Sequence, residues 1–229
     1  MKKLKFVCDS CQAKYSKWQG QCHLCKEWNS IVEIQNSFQS TDSELKVTPL
    51  KGIQEKQISE LRFSEPSMEK IFNGGLPVNS LSMLFGEPGV GKSSFTSFVI
   101  NSLKVRTLYV SGEESREQVA SRLRKHEVSD EDTYLTVETE VSLLKGILQK
   151  IRPKVCIIDS FQTLKLEGES TRSRQVEIIN QLSNIANELD IAFWVIGHVN
   201  KQGTLAGLKF IEHMVDAVFS LERKTGVNR

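Results

Sequence analysis

The chain has 229 residues, of which 39% are hydrophobic and 25% charged, a balance that excludes intrinsic disorder and allows one or two folded domains. Its formal net charge of +2 is too small to signal a nucleic-acid partner from bulk electrostatics, so any such contact must come from local clusters. No apolar run approaches the roughly 20 residues of a membrane helix, and the basic start "MKKLKFVCDS" lacks the apolar stretch of a secretory signal; a cytoplasmic protein with no membrane partner is expected.

Four of the five cysteines, Cys8, Cys11, Cys22 and Cys25, open the chain in the pattern C-x2-C-x10-C-x2-C. In a reducing compartment such pairs are metal ligands rather than disulfides. Each pair makes a tight knuckle, and two knuckles complete a tetrahedral site of four thiolates. Zinc in a closed, structural site is the favoured ion, with iron as the alternative. Trp18 and Trp28 are expected to cover this unit, which is too small to build a core without its metal. Lys2, Lys3, Lys5, Lys14, Lys17 and Lys26 give it a local basic excess. That excess suits nucleic-acid contact, although solvated lysines on a small domain are the commoner explanation. The unit is assigned to residues 1–34. A polar linker containing "QNSFQSTDSELK" follows over 35–60, and a core domain over 61–229.

In the core, short β-rich apolar runs alternate with helical patterns. Strands are expected at 81–85, 106–111, 154–159, 191–197 and 216–221. Each is nearly continuous in apolar residues, as in strands buried on both faces of a parallel sheet. Between them, Ser115 and Gln118 fit a capping box, with Val119 and Leu123 on one face of the helix that follows. Val141, Leu144, Leu148 and Ile151 form a stripe that stops before Pro153, and Val176, Ile179, Ala186 and Leu189 form another. The alternation predicts an α/β fold with a mainly parallel sheet.

The stretch "GEPGVGKSS" (Gly86, Glu87, Pro88, Gly89, Val90, Gly91, Lys92, Ser93, Ser94) lies between the first of these strands and a helix. It fits G-x-x-x-x-G-K-[ST] in the strand–loop–helix context that gives the pattern its meaning. The glycines let backbone amides turn inward as a nest for phosphates at a helix N-terminus. Lys92 then neutralises the β- and γ-phosphates of a nucleoside triphosphate, and the Ser93 hydroxyl holds Mg²⁺. Asp159, at the end of "VCIID", is the expected second Mg²⁺ partner, since ligands gather at the carboxyl ends of parallel strands. Glu113 and Glu114 follow another strand at that edge, and one of them is the candidate base. On its chemistry alone Glu114 equally suits a helix start. His198 ends a further strand, where a lone histidine is most often structural.

Taken together, "CDSCQAKYSKWQGQCHLCKEWNSIVE", "NGGLPVNSLSMLFGEPGVGKSS", "YVSGEES", "IIDSFQTL" and "IGHVNKQGTLAGLKFIEHMVDAVFSLE" closely resemble the RadA (Sms) family of bacterial DNA-repair ATPases. The resemblance runs to about residue 222. It implies a RecA-like P-loop ATPase core behind a four-cysteine zinc finger. It further implies binding of single-stranded or branched DNA, promotion of branch migration with a RecA-type recombinase, and assembly into a ring. Glu113 then takes the catalytic glutamate's place, and His198 that of the polar switch sensing the γ-phosphate. Residues 200–209, with Lys201 and Lys209, and 167–175, with Arg172 and Arg174, take the places of DNA-facing loops. The chain ends at "LERKTGVNR", before the family's Lys-Asn-Arg-Phe-Gly motif and Lon-protease-like domain. Slow turnover is therefore one expectation, and a nucleotide-regulated binding or adaptor paralogue is the alternative function.

Overall fold

Strands that are apolar on both faces need cover on both faces, and four of the five expected strands receive it; the fifth, Ala217–Leu221, lies at the sheet edge and leaves Val218 and Ser220 exposed. The computed structural model describes residues 6–11, 13–33, 50–52, 59–166, 171–198 and 211–223. They fall into two units, Met1–Lys56 and Gln57–Arg229.

In the larger unit the expected strands are β6 (Leu81–Gly86), β7 (Thr107–Ser111), β9 (Val155–Asp159), β10 (Ala192–Ile196) and β11 (Ala217–Leu221). A sixth, β8 (Thr133–Thr136), was not foreseen, because "TYLT" is a half-exposed edge strand without a continuous apolar run. All six pair in parallel, in the order β11-β6-β10-β9-β7-β8. A short antiparallel pair precedes them, β4 (Glu60–Arg62) with β5 (Gly75–Pro77), bracketing helix α1 (Pro66–Ile71).

Successive side chains of β10 show how the layers form. Phe193 and Val195 face one side, with the buried residues of α4 (Val141–Ile151) and α5 (Thr171–Leu189). Ala192 and Trp194 face the other, with those of α2 (Lys92–Leu103) and α3 (Arg116–Lys125). Val141, Leu144 and Leu148 of α4 are fully buried, as their spacing requires. On α5 the buried stripe runs through Ile178, Ile179, Leu182, Ile185 and Ala186, which is denser than the spacing read from the sequence. Helix α3 begins with the expected capping box between Ser115 and Gln118. The Asp216 carboxylate accepts from the Leu81 amide at 2.8 Å, and the Asp216 amide donates to the Leu81 carbonyl at 2.9 Å, which fastens β11 beside β6. Among the described residues no helix is long and apolar enough to cross a membrane.

The smaller unit is a three-stranded antiparallel sheet in the order β2-β1-β3, formed by β1 (Phe6–Cys8), β2 (Lys14–Tyr15) and β3 (Ile31–Glu33). Its interior is Cys8, Cys22 and Ile31, with Phe6, Ala13 and Tyr15 packed against them. Trp18 and Trp28 do not cover this interior, as the sequence led us to expect. They stand 61% and 69% exposed, beside Gly20. The fully buried part of this unit is only Cys8, Cys22 and Ile31, a core too small to cover two indoles.

Trp194 joins α2 to the sheet. It is fully buried, with its ring centroid 5.4 Å from that of Phe72 and 5.1 Å from that of Phe219. Its Nε1–H donates to the buried Thr96 hydroxyl at 3.0 Å. Trp194→Phe leaves that hydroxyl without its donor and opens a void, so it should cost about 2–4 kcal/mol in urea unfolding of the whole chain.

Candidate functional site

Parallel strands end at a common edge, and the register brings the chemistry-bearing ends level. Asp159 is opposite Ser111 on one side and Ile196 on the other, and Ile196 is opposite Leu84. The segment 86–91 after β6, Gly112–Glu114 after β7, Asp159 itself and His198 after β10 therefore share one edge.

Residues 86–91 form a loop that closes at the N-terminus of α2. Gly89 and Gly91 have φ of 76° and 108°, a region side chains rarely adopt. Gly91 is the residue just before the helix. Lys92 is the first helical residue and is only 6% exposed. Its ammonium donates to the carbonyls of Gly86 at 2.7 Å and Glu87 at 3.0 Å. Burial pulls its pKa below the usual lysine value, against the opposing pull of Asp159 and Glu113.

Ser93 Oγ donates to Asp159 Oδ2 at 3.0 Å. Two hard oxygen donors beside a loop that can cradle phosphates fit Mg²⁺, which takes few protein ligands and keeps its remaining positions for water and phosphate. The same carboxylate oxygen accepts from the buried Tyr109 hydroxyl at 2.6 Å. Burial, then the Asp159 charge, raises the Tyr109 pKa well above its usual value, so the phenol keeps its proton.

Glu113 and Glu114 diverge. Glu113 Oε1 accepts from Ser160 Oγ at 2.6 Å and lies 3.1 Å from His198 Nε2. The Ser160 hydroxyl, then His198, hold the Glu113 carboxyl below the ordinary glutamate value, with burial opposing them. Glu114 turns away to Arg122 of α3, and its backbone is held by the Ser111 hydroxyl. Of the two glutamates only Glu113 meets His198. Gly112 allows this geometry, because a Cβ there would lie 2.0 Å from Thr163 Oγ1, beside the chain that carries Ser160.

Arg174 lies half-buried in α5. The Arg172 side chain, Lys201 and Lys209 lie outside the described residues. Tyr109, Arg122 and Ser160 were missed by sequence reasoning. For Arg122 a signal existed: it follows Val119 by three residues and precedes Leu123 by one, so a cation borders the buried stripe of α3.

In the smaller unit the four cysteine sulfurs all lie within 4.8 Å of one another. The pair distances are 3.6 Å for Cys8 with Cys25 and 3.5 Å for Cys11 with Cys22. A tetrahedron with metal–sulfur bonds of about 2.3 Å has edges of about 3.8 Å, so the thiols fit a single ion. Crowding separates their acidities. Backbone amides, Cys25 first, and the Tyr15 hydroxyl bring Cys22 down to about 5. Cys25 gains from a Glu27 backbone contact, yet burial and the three neighbouring sulfurs push it up to about 12. Cys22→Ser should reduce bound metal to background and unfold this unit, while the thermal transition of the larger unit is unchanged. Metal analysis and calorimetry of the variant check this.

A model of the AAA domain matches residues 46–204, and one of the rubredoxin metal binding domain matches residues 6–33. The DNA repair protein RadA of Listeria monocytogenes is 32% identical over 95% of the chain and 51% of its own length. That of Chlamydia pneumoniae is 34% identical over 99% of the chain and 52% of its own length, and that of Streptococcus pyogenes serotype M1 is 35% identical over 96% and 52%. The chain thus spans about half the length of the curated relatives it matches. With a phosphate-type loop at the head of a six-stranded parallel sheet and four clustered cysteines ahead of it, the chain belongs to the AAA domain family and is a RadA/Sms-like protein.

Proposed function

We propose that the protein is an ATP-dependent DNA repair and recombination factor that binds single-stranded or branched DNA and hydrolyses ATP to promote branch migration. The observation that carries this reading is the convergence of Lys92, Ser93, Asp159 and the Glu113–His198 pair on one sheet edge. The RadA names of the relatives supply the DNA-repair context.

In this reading the loop from Gly86 to Ser94 and the N-terminus of α2 bind the triphosphate, and Lys92 exchanges its two carbonyl partners for phosphate oxygens. Ser93 and Asp159 hold Mg²⁺, which neutralises charge on the phosphates. Glu113, kept ionised by Ser160 and His198, orients and deprotonates the attacking water. His198 carries the state of the γ-phosphate toward the segment that follows it. Arg172, Arg174, Lys201 and Lys209 meet DNA phosphates.

The four-cysteine unit of residues 1–34 holds zinc and is joined through residues 35–60 to the ATPase core of 61–229. The protein works in the cytoplasm as a homo-oligomeric ring, with a RecA-type recombinase as partner.

Steady-state ATP hydrolysis, with and without single-stranded DNA, tests the proposal against Lys92→Ala as the blank. Turnover stimulated by DNA and abolished in Lys92→Ala is expected. Bound ATP without turnover above the blank would instead make the protein a nucleotide-regulated adaptor. Glu113→Gln should keep ATP binding and slow hydrolysis by about 10²–10⁴-fold; unchanged turnover would move the base to Glu114 or elsewhere.

A further inference from the structure

Arg122 is a largely buried guanidinium that the nucleotide chemistry above leaves without a task. One nitrogen donates to the Ser93 carbonyl at 3.1 Å and the Ser97 hydroxyl at 3.2 Å, both on α2. The other donates to the Tyr109 hydroxyl at 3.1 Å and pairs with Glu114, and it lies 3.9 Å from Asp159 Oδ2. A surface ion pair with Glu114 alone would not require burial. Burying a cation is costly unless its surroundings repay it, and here they are α2, β7, β9 and the turn after β7.

We propose that Arg122 is a positioning residue for the Mg²⁺–nucleotide site, acting through Tyr109 on Asp159 and through the Ser93 carbonyl on the start of α2. The inference rests on the nucleotide reading given above.

The logic lies in donor inventory. A guanidinium has donors only, so the Tyr109 oxygen must accept from Arg122. The single phenolic proton is thereby committed to Asp159, at 2.6 Å. Asp159 stays aimed whether Ser93 Oγ bonds to it or turns to a cation. At the same time the second bond of Arg122 fixes the backbone of Ser93. The two expected Mg²⁺ ligands, 66 residues apart in sequence, are held in register by one side chain that is not itself an expected ligand. A lysine offers a point charge and cannot span these acceptors.

The test is equilibrium binding of a non-hydrolysable ATP analogue to the full chain, titrated with Mg²⁺ and repeated in EDTA. Arg122→Met and Tyr109→Phe should each raise the Mg²⁺ concentration needed for half-maximal enhancement of binding, by about 10–100-fold for Arg122→Met and less for Tyr109→Phe. Affinity in EDTA should stay at the wild-type level. Arg122→Lys should recover part of the shift.

Folded variants with a wild-type Mg²⁺ midpoint, or with equal losses in EDTA, would overturn the proposal in favour of a purely structural role. Should Arg122→Met fail to fold, Tyr109→Phe, which loses only a hydroxyl, decides the matter. A wild-type chain that binds the analogue without any Mg²⁺ dependence would overturn the proposal alone, whereas one that does not bind the analogue at all would overturn the nucleotide reading along with it.

Discussion

The Asp159 carboxylate organises the larger unit. It sits at the end of a fully buried strand, where a charge is tolerated only if its oxygens find partners. One oxygen accepts from Ser93 on α2 and from Tyr109 on β7, and Arg122 of α3 stands behind both. A single acid therefore locks two helices on one face of the sheet to two of its strands. The same constraint that satisfies the buried charge also sets the spacing of the groups along the sheet edge. Stability and binding geometry are not separable here.

Glu113 shows the complementary arrangement. Its partners, Ser160 and His198, come from the ends of β9 and β10, so the sheet rather than a helix holds it. Close approach at Gly112 brings the chain after β7 against Thr163. Glu114, one residue on, is drawn toward α3 by Arg122. Two adjacent acids with the same intrinsic chemistry are thus directed to opposite sides by what each can reach.

Much of this was legible in the sequence, because the determinants are local. Apolar runs announced the four central strands and the edge strand β11, the glycine–lysine pattern announced the loop, and Ser115 with Gln118 announced the start of α3. The spacing of Cys8, Cys11, Cys22 and Cys25 announced a single cluster. What stayed hidden depends on contacts between distant segments. Strand β8 forms because β7 offers an edge, since "TYLT" lacks a run of its own. The tie between Tyr109 and Asp159 crosses 50 residues, and no period in the chain marks it. Choosing Glu113 over Glu114 as the partner of His198 needed the position of α3.

The indoles were misjudged for an instructive reason. Large aromatic residues usually seek burial, but a unit whose buried interior is Cys8, Cys22 and Ile31, with Cys11 and Cys25 packed against them, offers them little cover. The chain's three tryptophans are consequently divided by environment: Trp18 and Trp28 stand in water on the cysteine unit, whereas Trp194 is sealed in the core. Intrinsic fluorescence therefore separates the two units without any label. The red, quencher-accessible part of the emission follows the cysteine unit, and the blue, protected part follows the larger unit.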